Sequence, residues 1–189
     1  MEMKKWRDYK MKIITAPEKY DLKENEISVF LAGGITNCEE WQNKIIDYLK
    51  DNPYNDLNDL VVFNPRRENF PIDDKSAAQE QIEWEFNNIE RCDIFSIYFC
   101  GGISDQPICM YELGRNILRL QNRFPANWQE RIVISIEEEY KRKDDVIIQT
   151  RLATNNITSI AVGKEKEDDL ISTHADRIID AYLIVRYIL

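Results

Sequence analysis

Short apolar runs alternate along the chain with longer stretches in which apolar residues recur every three or four positions. Residues 27–32 (ISVFLA) form a β-branched run ending in Gly33-Gly34, which predicts a buried strand entering a loop. Trp41, Ile45, Ile46 and Leu49 then fall at helical spacing, with Thr36 or Asn37 available as the cap. Residues 60–63 predict a second strand, closed by Asn64-Pro65, and Ser76 opens a helix with Ile82, Phe86 and Ile89 on one face. Residues 93–99 (DIFSIYF) predict a third strand, closed by Gly101-Gly102. Pro107 suits the first turn of a helix that buries Met110, Leu113, Ile117 and Leu120. A fourth strand over 131–136, a helical stretch near 145–153 and a fifth strand over 157–162 follow. The last helix, about 168–188, places Leu170, His174, Ile178, Tyr182 and Val185 on one stripe. Residues 12–15 read as an extra edge strand within an N-terminal extension, 1–26.

Strands alternating with helices of these lengths predict parallel pairing through crossover helices. About five strands suit an α/β, three-layer, doubly wound parallel sheet. Right-handed crossovers and short connections favour the flavodoxin-like order 2-1-3-4-5. With 189 residues and no linker or low-complexity segment, one domain over 1–189 is expected.

Composition narrows the function. Acidic residues outnumber basic ones, 34 to 25, for a net charge of −9, which argues against a nucleic acid polymer as partner. No apolar run approaches the length of a membrane span, and the first seven residues (MEMKKWR) lack the apolar core of a secretory signal, so a cytoplasmic protein with no membrane partner is expected. The four cysteines form no C-x-x-C pair, and the single histidine leaves no multi-histidine metal site. No metal or organic cofactor is implied. The P-loop, the dinucleotide-binding glycine fingerprint and the nucleophile elbow are all absent.

In an open α/β sheet the ligand site lies beyond the carboxyl ends of the strands, where strand order reverses. The first and third predicted strands flank that point, and both run into Gly-Gly-Ile: Gly33-Gly34-Ile35 and Gly101-Gly102-Ile103. Such loops let backbone N–H groups approach a ligand, although tight strand-to-helix turns use glycine in any case. Two carboxylates can be placed by arithmetic. Glu112 lies five residues into its helix, about 7.5 Å from the carboxyl edge, and Glu85 lies eight residues before Asp93, about 12 Å back toward that edge. The two can reach similar height beside one crevice, where a carboxylate pair could serve as nucleophile and acid in glycosyl chemistry. The plainer alternatives are a solvated Glu112–Arg115 pair and a surface acid at Glu85. Asp105 either caps the third helix or contacts a ligand. Arg66 and Arg67 either grip a phosphate or carboxylate or sit solvated in a turn. Trp41 and Trp84 suit the core or a pocket wall, and His174 a packed position.

FLAGGI followed by Trp41, NPRR at 64–67, QIEWE at 81–85, the aspartate of RCDIF and MYELG at 110–114 occur in that order over residues 27 to 117. This series resembles the nucleoside 2-deoxyribosyltransferase-like family, in its NPRR-bearing branch. The resemblance implies a flavodoxin-like fold and cleavage of the N-glycosidic bond of a nucleoside or nucleotide through a covalent glycosyl-glutamate, with transfer to another base or to water. It implies Glu112 as nucleophile and Glu85 as the acid assisting the departing base. The substrate would be held by Gly33, Gly34, Ile35, Trp41, Asn64, Arg66, Arg67, Asp93, Gly101, Gly102 and Asp105. Relatives often complete the site from a neighbouring subunit. The last helix adds apolar surface through Tyr182, Val185, Tyr187, Ile188 and Leu189, so a homodimer or higher homo-oligomer is expected. A catalytically silent nucleotide-binding module using the same crevice is the alternative.

Overall fold

The computed structural model describes residues 11–52, 56–71, 73–163 and 169–188. The first seven residues, the predicted helix start at Asp168 and the apolar terminus at Leu189 lie outside this set. Six strands, β1 (Lys12–Thr15), β2 (Ile27–Gly33), β3 (Leu60–Asn64), β4 (Ile94–Phe99), β5 (Ile132–Glu137) and β6 (Ile160–Gly163), form one parallel sheet in the order β1-β3-β2-β4-β5-β6. Without its edge strand this is the predicted order. Residues 12–15 do form that edge strand, in register with β3 from Lys12–Val61 to Thr15–Asn64.

Helices α1 (Trp41–Asp51) and α5 (Asp169–Ile188) cover one face of the sheet. Helices α2 (Lys75–Arg91), α3 (Pro107–Arg123) and α4 (Lys143–Ala153) cover the other. The strands are buried on both sides, so side-chain alternation sorts apolar residues between two cores and not between core and water. Val29 and Leu31 face α1 and α5, whereas Phe30 and Ala32 face α2 and α3. On the α5 side, Leu170, His174, Ile178, Tyr182 and Val185 form the predicted stripe, all buried. His174 lies between two strand serines, with Nε2 2.7 Å from Ser96 Oγ and Nδ1 2.7 Å from Ser135 Oγ. Complete burial pushes its pKa down to about 3, so it packs as a neutral ring.

Four local expectations need correction. Neither Thr36 nor Asn37 caps α1: Glu40 holds the cap position without a side-chain cap bond, and Asn37 takes a left-handed conformation at φ 58°. The chain turns first because the Trp41 indole reaches back to the Gly34 carbonyl, 2.9 Å away, and stacks on Tyr98. On α2, Ile82 and Phe86 are exposed, and the buried face is Ala77, Gln81, Trp84, Asn88 and Ile89. Gln81 and Asn88 tolerate burial because their side-chain amides bond the Pro65 and Trp84 carbonyls. Met110 is half-buried while Leu113, Ile117 and Leu120 are buried as expected. The sixth strand starts at Ile160, not at 157, because Asn155 and Asn156 both take left-handed conformations that close the end of α4.

Candidate active site

The carboxyl ends of β2 and β4 meet where strand order reverses, and a cavity of about 380 Å³ opens there. That volume falls within the roughly 300–1,000 Å³ typical of small-molecule sites. Phe30, Ala32 and residues 33–36 line it from β2 and its loop, Ser104, Asp105 and Gln106 from the loop after β4, and Pro65 from the end of β3. Ile82 and Glu85 come from α2, and Pro107, Ile108, Cys109 and Glu112 from α3. The two carboxylates placed by helical rise thus enter one cavity.

The glycines of β2 and its loop are held there by close approach. Gly33 has φ 148°, and a Cβ on it would run into the Tyr98 carbonyl and the Trp41 ring. A Cβ on Gly34 would overlap Cys38 Sγ and the Gln106 side chain. Gln106 is the loop's other fixed point. Its backbone is left-handed at φ 45°, a strained conformation for a residue with a side chain. Its buried amide accepts from Cys100 N–H at 3.2 Å and donates to the Cys100 carbonyl at 2.7 Å, which closes the loop between β4 and α3 on itself.

The cavity changes the proton affinity of both acids. Glu112 is pushed up to about 7, first by burial and then by the charge of Glu85, with Arg115 opposing. Glu85 is also raised by burial, against a stabilising 2.7 Å hydrogen bond from Gln81 Nε2. The Glu112–Arg115 surface pair does not form. Arg115 reaches Glu90 instead, at 3.7 Å, and lies over the Phe86 and Tyr111 rings.

The other predicted site residues divide. Gly33, Gly34, Ile35 and Asp105 line the cavity. Asp105 does not cap α3, since Gln106 holds that position. Its exposed carboxylate lies 3.6 Å from Lys141. Trp41 is fully buried behind the loop. The buried Asn64 side chain accepts from Arg66 N–H at 3.0 Å and shapes the turn. Arg66 is occupied: its guanidinium donates to Gln42 Oε1 at 2.8 Å and to the Glu39 carbonyl at 2.7 Å, with longer contacts to the carbonyls of Gly34, Ile35 and Cys38. Arg67 lies outside the cavity lining, 3.5 Å from Glu80 and over the Phe70 ring. Gly101 donates its N–H to Glu137, and Gly102 takes φ 86° in open space; neither lines the cavity. Asp93 lies at the opposite edge of the sheet. It precedes β4 and accepts from Ser28 N–H at 2.9 Å and Ser28 Oγ at 2.8 Å, pinning the start of β2.

Gln81 and Gln106 were not assigned roles from sequence. Gln81 opens the QIEWE motif, so its position was visible, but only the fold reveals that its amide reaches Glu85. A larger groove, about 710 Å³, lies along α2 beside residues 17–21, where Trp84 Nε1 and Arg91 already bond the carbonyls of Glu18 and Tyr20. Among the described residues no group of three or more His, Cys, Asp or Glu side chains could hold a metal ion, and no helix is long and apolar enough to cross a membrane.

The family model described as nucleoside 2-deoxyribosyltransferase like matches residues 26–124, just over half the chain. The matched segment runs from the start of β2 through the end of α3, and so contains all of the described residues that line the cavity. Among curated proteins no significant match is found.

Proposed function

Since the chain belongs to the nucleoside 2-deoxyribosyltransferase-like family, we propose that it cleaves the N-glycosidic bond of a nucleoside through a covalent glycosyl ester on Glu112. The observation that carries this reading is the pair of carboxylates, Glu85 and Glu112, lining one cavity at the point where strand order reverses. The Glu112 carboxylate attacks C1′ of the sugar. The bond from C1′ to the base breaks, its electron pair stays on the base, and Glu85 supplies the proton the base takes away. A second base, or water, then attacks C1′ and gives its proton to the Glu85 carboxylate, while Glu112 leaves as the carboxylate.

The two part-buried carboxyls disfavour the doubly ionised state, so the pair keeps one proton near neutrality. Burial and the charge of Glu85 favour that proton on Glu112 in the free protein; in this proposal the bound base draws it to Glu85, which leaves Glu112 ionised for the attack. The mixed polar and apolar lining suits a sugar beside a flat base. Arg66 is committed to the loop and Arg67 stands outside, so among the described residues no arginine contributes to the lining and the reading favours an unphosphorylated substrate. A second copy of the chain covers the open side of the cavity in this proposal. Ile82, Phe86, Ile108 and Tyr111 are 50–67% exposed on α2 and α3, and Ile82 and Ile108 also line the cavity.

The test is incubation with a panel of ribo- and 2′-deoxynucleosides and their 5′-monophosphates, with and without an acceptor base, followed by chromatography for free base and exchanged nucleoside. Base release from a nucleoside is expected. Binding with no release from any member of the panel would overturn the enzymatic reading in favour of a silent sensor.

A further inference from the structure

Gln81 sits one helical turn before Glu85 on α2 and is 9% exposed. Its Nε2 lies 2.7 Å from the Pro65 carbonyl oxygen and 2.7 Å from Glu85 Oε1. Both neighbours are acceptors, so the orientation of the amide is forced: each N–H is committed to one of them. The consequence falls on the other end of the side chain. Among the described residues Gln81 Oε1 is buried with no hydrogen-bond partner, a costly state for an amide oxygen. Turning the amide over would set carbonyl against carbonyl and carboxylate. The observed arrangement gives up one bond to keep two donors on Pro65 and Glu85.

We infer that Gln81 is the positioning residue of the leaving-group acid: it holds Glu85 Oε1 as an acceptor, so that the transferable proton resides on Oε2. This rests on the function proposed above. Among the described residues Glu85 has no other hydrogen bond, so Oε2 is left for the departing base. The Pro65 bond adds a second constraint. Pro65 follows β3 at the carboxyl edge of the sheet, so one amide fixes the acid both in rotation and in height above the strands. The charged and titratable groups facing Glu85 across the cavity are Glu112 and Cys109 on α3 and Asp105 in the loop before it. The lining from β2, its loop and Pro65 contributes no charge.

The tie is tested with Gln81→Met, which keeps length and removes both donors. The Glu85 carboxyl is followed by ¹³C NMR in protein labelled at glutamate Cδ, and its resonance is assigned by its loss in Glu85→Gln. Without the donated hydrogen bond the Glu85 titration midpoint should rise by about one pH unit. In turnover, kcat should fall about tenfold or more with KM little changed, and the alkaline limb of the pH profile should rise with the NMR midpoint. The loss should shrink for nucleosides whose base leaves readily. In a Glu85→Gln background, Gln81→Met should cost less than about twofold, because the acid it serves is already gone. An unmoved midpoint, or an equal loss in the Glu85→Gln background, would reduce Gln81 to a structural tie to Pro65. Should Gln81→Met fail to fold, Gln81→Asn, one methylene too short to reach both partners, takes its place in the same measurements. The NMR arm needs no turnover, so it decides the role of Gln81 even if no nucleoside proves to be a substrate.

Discussion

The charge of Glu85 on α2 helps hold the carboxyl of Glu112 on α3 protonated up to about pH 7. Neither residue owes this to its own helix. Burial in the shared cavity raises both, and at Glu112 the charge of Glu85 adds to it. Catalysis by this pair requires one charge and one proton at the same time, and the cavity makes the doubly ionised state the unfavourable one.

A nucleophilic Glu112 sets the first expectation. Glu112→Gln is isosteric, so the fold and nucleoside binding should survive, while turnover should fall by several orders of magnitude because an amide cannot form the glycosyl ester. Wild-type protein treated with a slow 2′-fluoro-arabino nucleoside should gain the mass of one sugar, mapped to Glu112 by peptide mass spectrometry. Near wild-type turnover in Glu112→Gln would remove Glu112 from the mechanism.

The same substitution should change stability, with a sign fixed by the direction of the shift. In the folded protein Glu112 binds its proton more tightly than a free glutamate, whose ordinary pKa is 4.5, and holds it up to about 7. Between those pH values the folded state holds more protons than the unfolded one, so this group's contribution is fully present below about 4.5 and is lost as pH rises through about 7. Glu112→Gln, which cannot ionise, should therefore melt higher than wild type at pH 8, and the gap should close toward pH 5. Calorimetry across that range checks it. A variant less stable than wild type at pH 8 would show that Glu112 is stabilised where it stands.

Arg66 yields a different expectation from the one its motif suggests. A guanidinium that donates to Gln42 and the Glu39 carbonyl holds the loop that carries Gly34 and Ile35. Arg66→Ala should lower stability by about 1–3 kcal/mol. It should also weaken nucleosides and their 5′-monophosphates by similar factors, since what is lost is the shape of the loop. Competition binding with matched pairs decides between the two roles: selective weakening of the monophosphates would return Arg66 to phosphate recognition.

The sheet order and the placement of both carboxylates were legible in the sequence because they follow from periodicity and helical rise. Five buried strands alternating with helices restrict the topology, and counting residues from Pro107 and Asp93 is enough to bring Glu112 and Glu85 to one height. Side-chain commitments were not legible. NPRR reads as two available arginines, yet the fold brings the 34–39 carbonyls over Arg66. Asp93 opens a strand, and the opening of a parallel strand lies at the edge away from the ligand, a consequence of topology that the motif alone conceals. On α2 the apolar spacing misleads because Gln81 and Asn88 take buried positions through their amide bonds, which frees Ile82 and Phe86 for the surface.

Those freed residues carry the prediction on assembly. The apolar end of α5 is a weaker candidate for an interface than the sequence suggests, because Tyr182 and Val185 are spent on the core and the exposure is left to residues such as Tyr187 at the terminus. Around the cavity, by contrast, Ile82, Phe86, Ile108 and Tyr111 lie exposed on two adjoining helices. A second copy seated there would bury this surface and cut water off from the glycosyl ester, which favours transfer to a base over hydrolysis. Sedimentation velocity at tens of micromolar should therefore show at least a dimer. Phe86→Glu should dissociate it and raise the ratio of hydrolysis to base exchange, whereas Tyr187→Glu should leave both unchanged. A monomeric wild type, or dissociation by Tyr187→Glu alone, would move the interface away from the cavity and leave water exclusion to this chain's own loops.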